Sequence, residues 1–371
     1  MSNVIDLFSG VGGLSLGAAR AGFNVAGAIE IDSHAVSSHI RNFPATKHSD
    51  ISVAKLSGKN IADISGLRID EIDGIIGGPP CQGFSTIGKQ DRTDKRNNLF
   101  NDFFRIVKEV QPRFFLAENV PGILDPKYDS IQEMALAQVA DDYELITPFK
   151  VKASDYGAPT IRTRVLFIGY KKEYIDKLSQ TSFAPDADTQ QITVEKALTG
   201  LPANIDPNWI KEQDGWRKIV RMGDSHFARN IHGRVPENIG HRESIERFDT
   251  TDYVSGCLGT RHTAPVAERY DSLLPGKSDK ISKSTRLVST GFCPTLRAGT
   301  GSDKGSFQAV RPIHPTKGRV ITPREAARLQ GFPDWFQFHR TKWHSFRQIG
   351  NSVSPILAEE ILTRIHKRFN D

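Results

Sequence analysis

Val4-Ile5-Asp6-Leu7-Phe8-Ser9-Gly10-Val11-Gly12-Gly13 opens the chain with an apolar run that breaks into a cluster of glycines. Residues 4–8 read as a buried strand, residues 10–13 as a tight turn and residues 14–21 as a helix closed by Gly22, because the apolar spacing changes there from continuous to helical. A second strand over residues 24–29 ends in Glu30, about twenty residues beyond the glycines, where an acid reaches ribose hydroxyls in nucleotide-binding folds. This order of strand, glycine turn, helix and strand predicts an α/β fold built on an open parallel sheet. Ser15 stands where the third glycine of a full GxGxxG would fall, so the turn by itself leaves the cofactor undecided.

Working outward, the next strongly punctuated stretch is Gly77-Gly78-Pro79-Pro80-Cys81-Gln82-Gly83-Phe84-Ser85. The short strand before it, residues 73–76, is ended abruptly by two glycines and two prolines, which leaves Cys81 in a loop with restricted backbone freedom. A cysteine packed as a small hydrophobe is the usual alternative. It is disfavoured by the Pro and Gln neighbours and by the polar, net-basic segment that follows, with Lys89, Arg92, Lys95 and Arg96 against Asp91 and Asp94. Residues 99–110 then form an amphipathic helix, and a strand over residues 113–117 leads to Glu118-Asn119-Val120-Pro121-Gly122. Strand ends of an open parallel sheet emerge along one edge, so Phe8, Glu30, Cys81 and Glu118 are predicted to line one crevice. Strands over residues 143–149 and 165–170 flank Thr160-Ile161-Arg162-Thr163-Arg164, where alternation puts both arginines on one face, one able to reach a base carbonyl and the other to brace a carboxylate.

From residue 181 to 318 the pattern loosens into frequent Pro, Gly and Asn, which predicts a second, smaller domain. Definition returns at Thr322-Pro323-Arg324-Glu325, a capping box with proline at the first helical position and Gly331 as the stop, which reads as a structural helix. Ser354-Pro355 starts a last helix with Ile361 and Ile365 on one face. At 371 residues the chain accommodates a large and a small domain. No run of 18 apolar residues occurs and no leader precedes the first strand, which excludes membrane insertion and predicts a cytoplasmic protein. Three widely separated cysteines without a CxxC pair suggest neither disulfides nor a zinc site. Residues 277–317 carry eight Lys or Arg against two acids and residues 319–371 nine against five, whereas the first 276 residues are net −4. The basic C-terminal quarter predicts a polyanion-facing surface, with Lys283, Arg286, Arg297 and Lys304 as phosphate contacts.

With Gln348-Ile349-Gly350-Asn351-Ser352-Val353-Ser354-Pro355 near the end, the glycine turn and the Cys81 turn make the chain resemble the DNA cytosine 5-methyltransferase family over nearly its whole length. The resemblance implies a Rossmann-like S-adenosylmethionine-dependent methyltransferase domain over residues 1–180 and 336–371, interrupted by a target-recognition domain over residues 181–335. It implies that Phe8, Gly10, Gly12, Gly13, Glu30, Asp50, Pro80, Leu99, Asn351 and Val353 bind S-adenosylmethionine. Cys81, Glu118, Arg162 and Arg164 would be catalytic, and Ser85, Lys89, Arg92, Thr295, Leu296 and Arg297 would contact double-stranded DNA. The family usually carries Gln where this chain has Thr160. No metal is implied, and the expected partners of a monomer are duplex DNA and a cognate restriction endonuclease acting on the same site. A transfer-RNA methyltransferase of the same fold and a catalytically silent DNA-binding relative are the competing readings.

Overall fold

The computed structural model describes residues 2–80, 98–210, 212–298 and 311–369. The order begins β1 (Asn3–Leu7), α1 (Gly13–Arg20), β2 (Asn24–Ile29), α2 (Ser33–Asn42), β3 (Lys47–Ser49) and α3 (Gly58–Ser65). It continues with β4 (Gly74–Gly77), α4 (Asn98–Val110), β5 (Phe114–Asn119), α5 (Asp129–Ala137), β6 (Glu144–Lys152) and β7 (Thr163–Tyr170). These strands make one seven-stranded sheet in the order β3-β2-β1-β4-β5-β7-β6. The first five run parallel. β7 is antiparallel to both β5 and β6, so the predicted parallel sheet carries one reversed strand next to its β6 edge.

Both faces of the sheet are covered at its centre, which is why β1, β4, β5 and β7 are almost wholly buried, whereas the edge strands β3 and β6 carry exposed residues. Val4, Ile76, Phe114, Leu116, Leu166 and Ile168 point into one core. Their neighbours Ile5, Leu7, Ile75, Phe115, Ala117, Val165 and Phe167 point into the other, beneath α3, α4 and α5. On the first face α1 is pressed against a C-terminal helix, residues Pro355–His366, which buries Ile361 and Ile365. The two backbones touch through glycine: a Cβ at Gly17 would stand 2.3 Å from that of Ala358, and one at Gly13 would stand 2.3 Å from the Val353 carbonyl oxygen.

Between β7 and the final helices the described residues hold only short elements: α6 (Val194–Leu198), β8 (Arg217–Lys218), α7 (His226–His232), α8 (Arg242–Thr251), β9 (Tyr253–Val254) and α9 (Ala264–Asp271). β8 and β9 pair antiparallel. Then come α10 (Pro323–Gln330), α11 (Lys342–Asn351) and α12, the Pro355–His366 helix. The α10 capping box forms as predicted: Thr322 Oγ1 accepts from Glu325 N–H, the Glu325 carboxylate accepts from Thr322 N–H, and Gly331 takes φ +89°. Every residue of α10 is buried. Arg324 accordingly donates to Ser255 and to the carbonyls of Pro333 and Phe336, and Arg328 makes two hydrogen bonds to Asp334. Among the described residues no helix is long and apolar enough to cross a membrane.

Candidate active site

The turn after β1 is built from left-handed backbone: φ is +61° at Phe8, +56° at Gly10 and +99° at Gly12. A side chain at Gly12 would strike the Phe43 ring at 2.4 Å, whereas one at Gly10 would meet nothing within 4 Å. Gly10 therefore faces open space on one side of the turn, and on the other its N–H donates to Glu30 Oε2 at 3.0 Å. Glu30 Oε1 accepts from Asp32 N–H at 2.9 Å. Burial raises the Glu30 pKa, an effect opposed by these two amides. The β2 and β3 ends add two exposed apolar side chains, Ile31 (65% exposed) and Ile51 (45%), which adjoin Glu30 and the exposed Asp50 in sequence. An open glycine face, a carboxylate held by two amides at the end of β2 and flanking apolar surface fit an adenosine-bearing cofactor. The two isoleucines escaped the sequence reading because an apolar residue after a strand is not distinguishable from core by pattern.

Ser15, the departure from the glycine pattern, has a structural role. Its hydroxyl donates to the buried Asp6 Oδ2 and stands 3.0 Å from His39 Nε2, whose Nδ1 is 2.8 Å from His48 Nε2. Burial lowers the pKa of both histidines. Two neutral rings give a consistent proton order, His48 to His39 to Ser15 to Asp6. A glycine at position 15 would break it.

At the neighbouring strand ends, Asn119 Nδ2 donates to the Pro79 carbonyl at 3.5 Å, tying the segment after β4 to the end of β5. Glu118 forms a buried ion pair with Arg164. A Cβ on Gly78 would lie 3.2 Å from Glu118 Oε2, so a side chain there would crowd the carboxylate. The reversed direction of β7 brings Arg164 to this edge, because the start of an antiparallel strand lies beside the end of its parallel neighbour; the register pairs Asn119 with Val165 and Glu118 with Leu166. Of the two roles predicted for the alternating arginines, Arg164 takes that of bracing a carboxylate.

Arg162 is buried and donates to the Leu296 carbonyl at 3.3 Å. Thr160 donates to the Cys293 carbonyl at 3.1 Å, and Cys293 N–H returns a hydrogen bond to Pro159. The segment at residues 293–296 is thus docked onto residues 159–162, the segment that leads into β7. Thr295 and Arg297 are exposed, but Leu296 turns its side chain into the core. Arg286, expected to meet phosphate, instead donates to the carbonyls of Pro315, Tyr270, Asp271 and Leu273. Pro80 and Leu99 are half-buried, Val353 is buried against Gly13, and Asn351 is exposed at the end of α11. Cys81, Ser85, Lys89, Arg92 and Lys304 lie outside the described residues.

The other two cysteines offer no nucleophile: burial pushes the thiols of Cys257 and Cys293 up to about 12. One trio of histidines, His34, His339 and His344, brings its ring nitrogens within 4.8 Å of one another. The His34 and His344 ring centres lie 3.7 Å apart with the rings tilted by 41°, and His339 Nδ1 accepts from Thr341 N–H. Tetrahedral zinc holds its nitrogen ligands only about 3.4 Å apart, so this trio packs rings and is assigned no metal.

A doubly wound sheet with a glycine turn, a ribose-type carboxylate and a buried Glu–Arg pair along one edge defines a cofactor-dependent α/β enzyme. Residues 2–367 match the model of the C-5 cytosine-specific DNA methylase family, and the chain belongs to that family. The type II methyltransferase M.XorII of Xanthomonas oryzae pv. oryzae is 40% identical over 367 residues, covering 98% of this chain and 84% of the relative. The type II methyltransferase M.DdeI of Desulfomicrobium norvegicum is 31% identical over 396 residues, covering 100% and 89%. A crystal structure described as a DNA modification methyltransferase encoded within an E. coli prophage superposes with a TM-score of 0.90 at 53% identity, covering 99% of both chains. S. pombe Dnmt2, at 16% identity and a TM-score of 0.64 over 99% of each chain, shares the fold. The chain is therefore a methyltransferase acting at carbon 5 of cytosine in DNA, with S-adenosylmethionine as methyl donor.

Proposed function

We propose that this enzyme modifies one cytosine within a specific duplex sequence, with the base turned out of the helix and held covalently by Cys81 while carbon 5 is methylated. The observation that carries the reading is the buried Glu118–Arg164 pair, set against Gly78 on the short run that leads through Pro79 and Pro80 to Cys81. Carbon 5 of cytosine is too weakly nucleophilic to accept a methyl group unaided. Addition of the Cys81 thiolate at carbon 6 pushes electron density to carbon 5, and Glu118 at ring nitrogen 3 and the exocyclic amine steadies the charge that accumulates. Bound S-adenosylmethionine supplies an electrophilic methyl group on its sulfonium. Loss of the proton from carbon 5 then expels Cys81 and restores the ring.

Carbon 6 is inaccessible in a stacked duplex, which requires extrusion of the base at roughly a few kcal/mol. Phe8, Glu30 and Asp50, with Ile31 and Ile51, hold the cofactor's adenosine; Arg164 fixes Glu118; Arg162 fixes the docked segment that presents Thr295 and Arg297 to DNA. Residues 181–335 act as the target-recognition domain between the two parts of the catalytic domain. The type II relatives support a further role as the modification partner of a restriction endonuclease cutting the same site.

The test is covalent trapping on duplex DNA whose target cytosine carries fluorine at carbon 5, which cannot leave as a cation. A denaturation-resistant adduct is expected that needs S-adenosylmethionine, vanishes in Cys81→Ser and forms more slowly in Glu118→Gln. An active preparation that never traps refutes the covalent mechanism, and trapping on RNA alone moves the chain to the transfer-RNA branch.

A further inference from the structure

The N-terminus of α11 carries an electrostatic arrangement that no other described residue resolves. Lys342 is the first helical residue, Thr341 provides no side-chain cap, and the first turn contains no acid. A helix N-terminus favours negative charge, so an ammonium there is set against the dipole. Arg311 stands beside it, its guanidinium 4.4 Å from the centre of the Phe346 ring one turn further along the helix. Both cations lean on the same neutral atom: Thr260 Oγ1 is 3.3 Å from Arg311 Nη1 and 3.5 Å from Lys342 Nζ. Lys342 also donates to the Gly259 carbonyl. Neither cation has a carboxylate partner among the described residues, although Arg and Asp or Glu pairs are common elsewhere in the chain. Burial and the adjoining guanidinium lower the Lys342 pKa, and burial lowers that of Arg311. His262 belongs to the same group: its pKa is lowered by burial and then by Lys342, Arg319 and Arg311, and its Nε2 accepts from Val320 N–H at 3.3 Å. Of these, Arg319 is already paired with Glu325.

Two half-buried cations that repel each other, at the positive end of a helix and sharing one hydroxyl, have no counter-charge among the described residues, and an anion from outside would supply it. We infer that Arg311, Lys342 and Thr260, at the N-terminus of α11, form a binding site for a single phosphate group, and that its occupant is a phosphodiester of the DNA backbone. The choice of DNA rests on the activity proposed above and on position. The far end of α11 carries Gly350, where a Cβ would be 2.7 Å from Ala298 N, so the helix runs from this site to the docked segment ending in Thr295 and Arg297. Ten residues of helix span about 15 Å, which places the site within reach of the same duplex. A Lys-plus-Arg cradle with a hydroxyl contacts phosphate rather than a base edge, so it positions DNA without reading sequence.

The experiment measures affinity for cognate and unrelated duplexes against salt concentration in wild type, Lys342→Gln and Arg311→Gln/Lys342→Gln. Lys342→Gln keeps a donor for the Gly259 carbonyl and removes only the charge. One shared phosphate predicts that the double variant lowers the log–log salt slope by about 0.9 on both duplexes. Between 50 and 200 mM salt the wild type should therefore lose about 3.5-fold more affinity than the variant. Melting of the free variants should be unchanged or higher, because a repulsion has been removed, and the extra stabilisation of wild type by inorganic phosphate over chloride at equal ionic strength should disappear. An unchanged slope in a folded variant overturns the site. A slope change near 1.8 means two separate contacts and overturns the shared cradle. Phosphate protection that the variant loses while its DNA slope stays put overturns the assignment to DNA. Failure of the wild type to bind or methylate duplex DNA would instead strike at the proposed function, while leaving the phosphate arm readable.

Discussion

Asp6→Asn should make the protein more stable above neutral pH, by an amount that follows from where Asp6 lies. The carboxyl is 1% exposed at the end of β1, and burial pushes its pKa from 3.8 up to about 7; the Ser15 hydroxyl pulls it down and the Glu30 charge pushes it up again. An acid whose pKa is higher in the folded state keeps a proton that the unfolded chain releases. Its contribution is fully present below pH 3.8 and is lost as pH rises through about 7. At 1.36 kcal/mol per pKa unit, the loss between these limits is on the order of 4 kcal/mol. Asparagine keeps the shape and an acceptor for Ser15, but does not titrate. The difference in unfolding free energy between variant and wild type should therefore grow in the variant's favour by about 2–4 kcal/mol from pH 4 to pH 8.5, the lower figure allowing for relaxation around the charge. Urea unfolding across that range, with unchanged denaturant slopes, measures it. Two parallel pH profiles would refute the claim that a buried, proton-retaining carboxyl underlies the glycine turn.

Gly10→Ala should be tolerated by the fold but not by the cofactor: φ is +56° and a Cβ meets no protein atom within 4 Å. Left-handed strain costs about 1–2 kcal/mol, while the dissociation constant for S-adenosylmethionine, read by calorimetry, should rise at least tenfold; an unchanged constant would place the cofactor elsewhere. Arg328→Met should cost about 3–5 kcal/mol in thermal and denaturant unfolding, because it strands the fully buried Asp334 carboxylate. Arg328 contributes to holding the Asp334 pKa far below its usual range, so the stability this pair supplies is present above that range and lost as pH falls; the variant should be less sensitive to acid than wild type.

How much of this was legible depended on whether a signal was local. The glycine turn, Glu30 at the end of β2 and the α10 capping box are determined by residues within a few positions, and each stands where the sequence puts it. Strand limits followed the apolar runs to within a few residues, but direction did not. Nothing between residues 143 and 170 states that β7 runs antiparallel to its neighbours β5 and β6. Arg286 shows the limit for charges. A basic run predicts a polyanion surface on average, yet the carbonyl groups that claim this guanidinium come from residues 270–273 and 315, and no pattern near position 286 reveals them. Arg311 and Lys342, by contrast, have no counter-charge among the described residues, a property visible only once their surroundings are known.

The antiparallel pair has a mechanistic consequence. In a wholly parallel sheet, every group delivered to the C-terminal edge arrives at the end of a strand and is followed by a loop that must turn away. Reversing β7 delivers Arg164 at the start of a strand, with a register that seats it beside Glu118, so that the carboxylate is braced from a neighbouring strand and not from its own loop. The segment entering that strand also carries Thr160 and Arg162, which take hold of residues 293–296. One extended run therefore positions the carboxylate on one side and the docked segment on the other. α11 then packs against that segment through Gly350, and its first residue, Lys342, belongs to the phosphate cradle. In the proposed mechanism, a duplex gripped at the start of α11 is thereby referred, through rigid backbone, to the carboxylate that meets the extruded base.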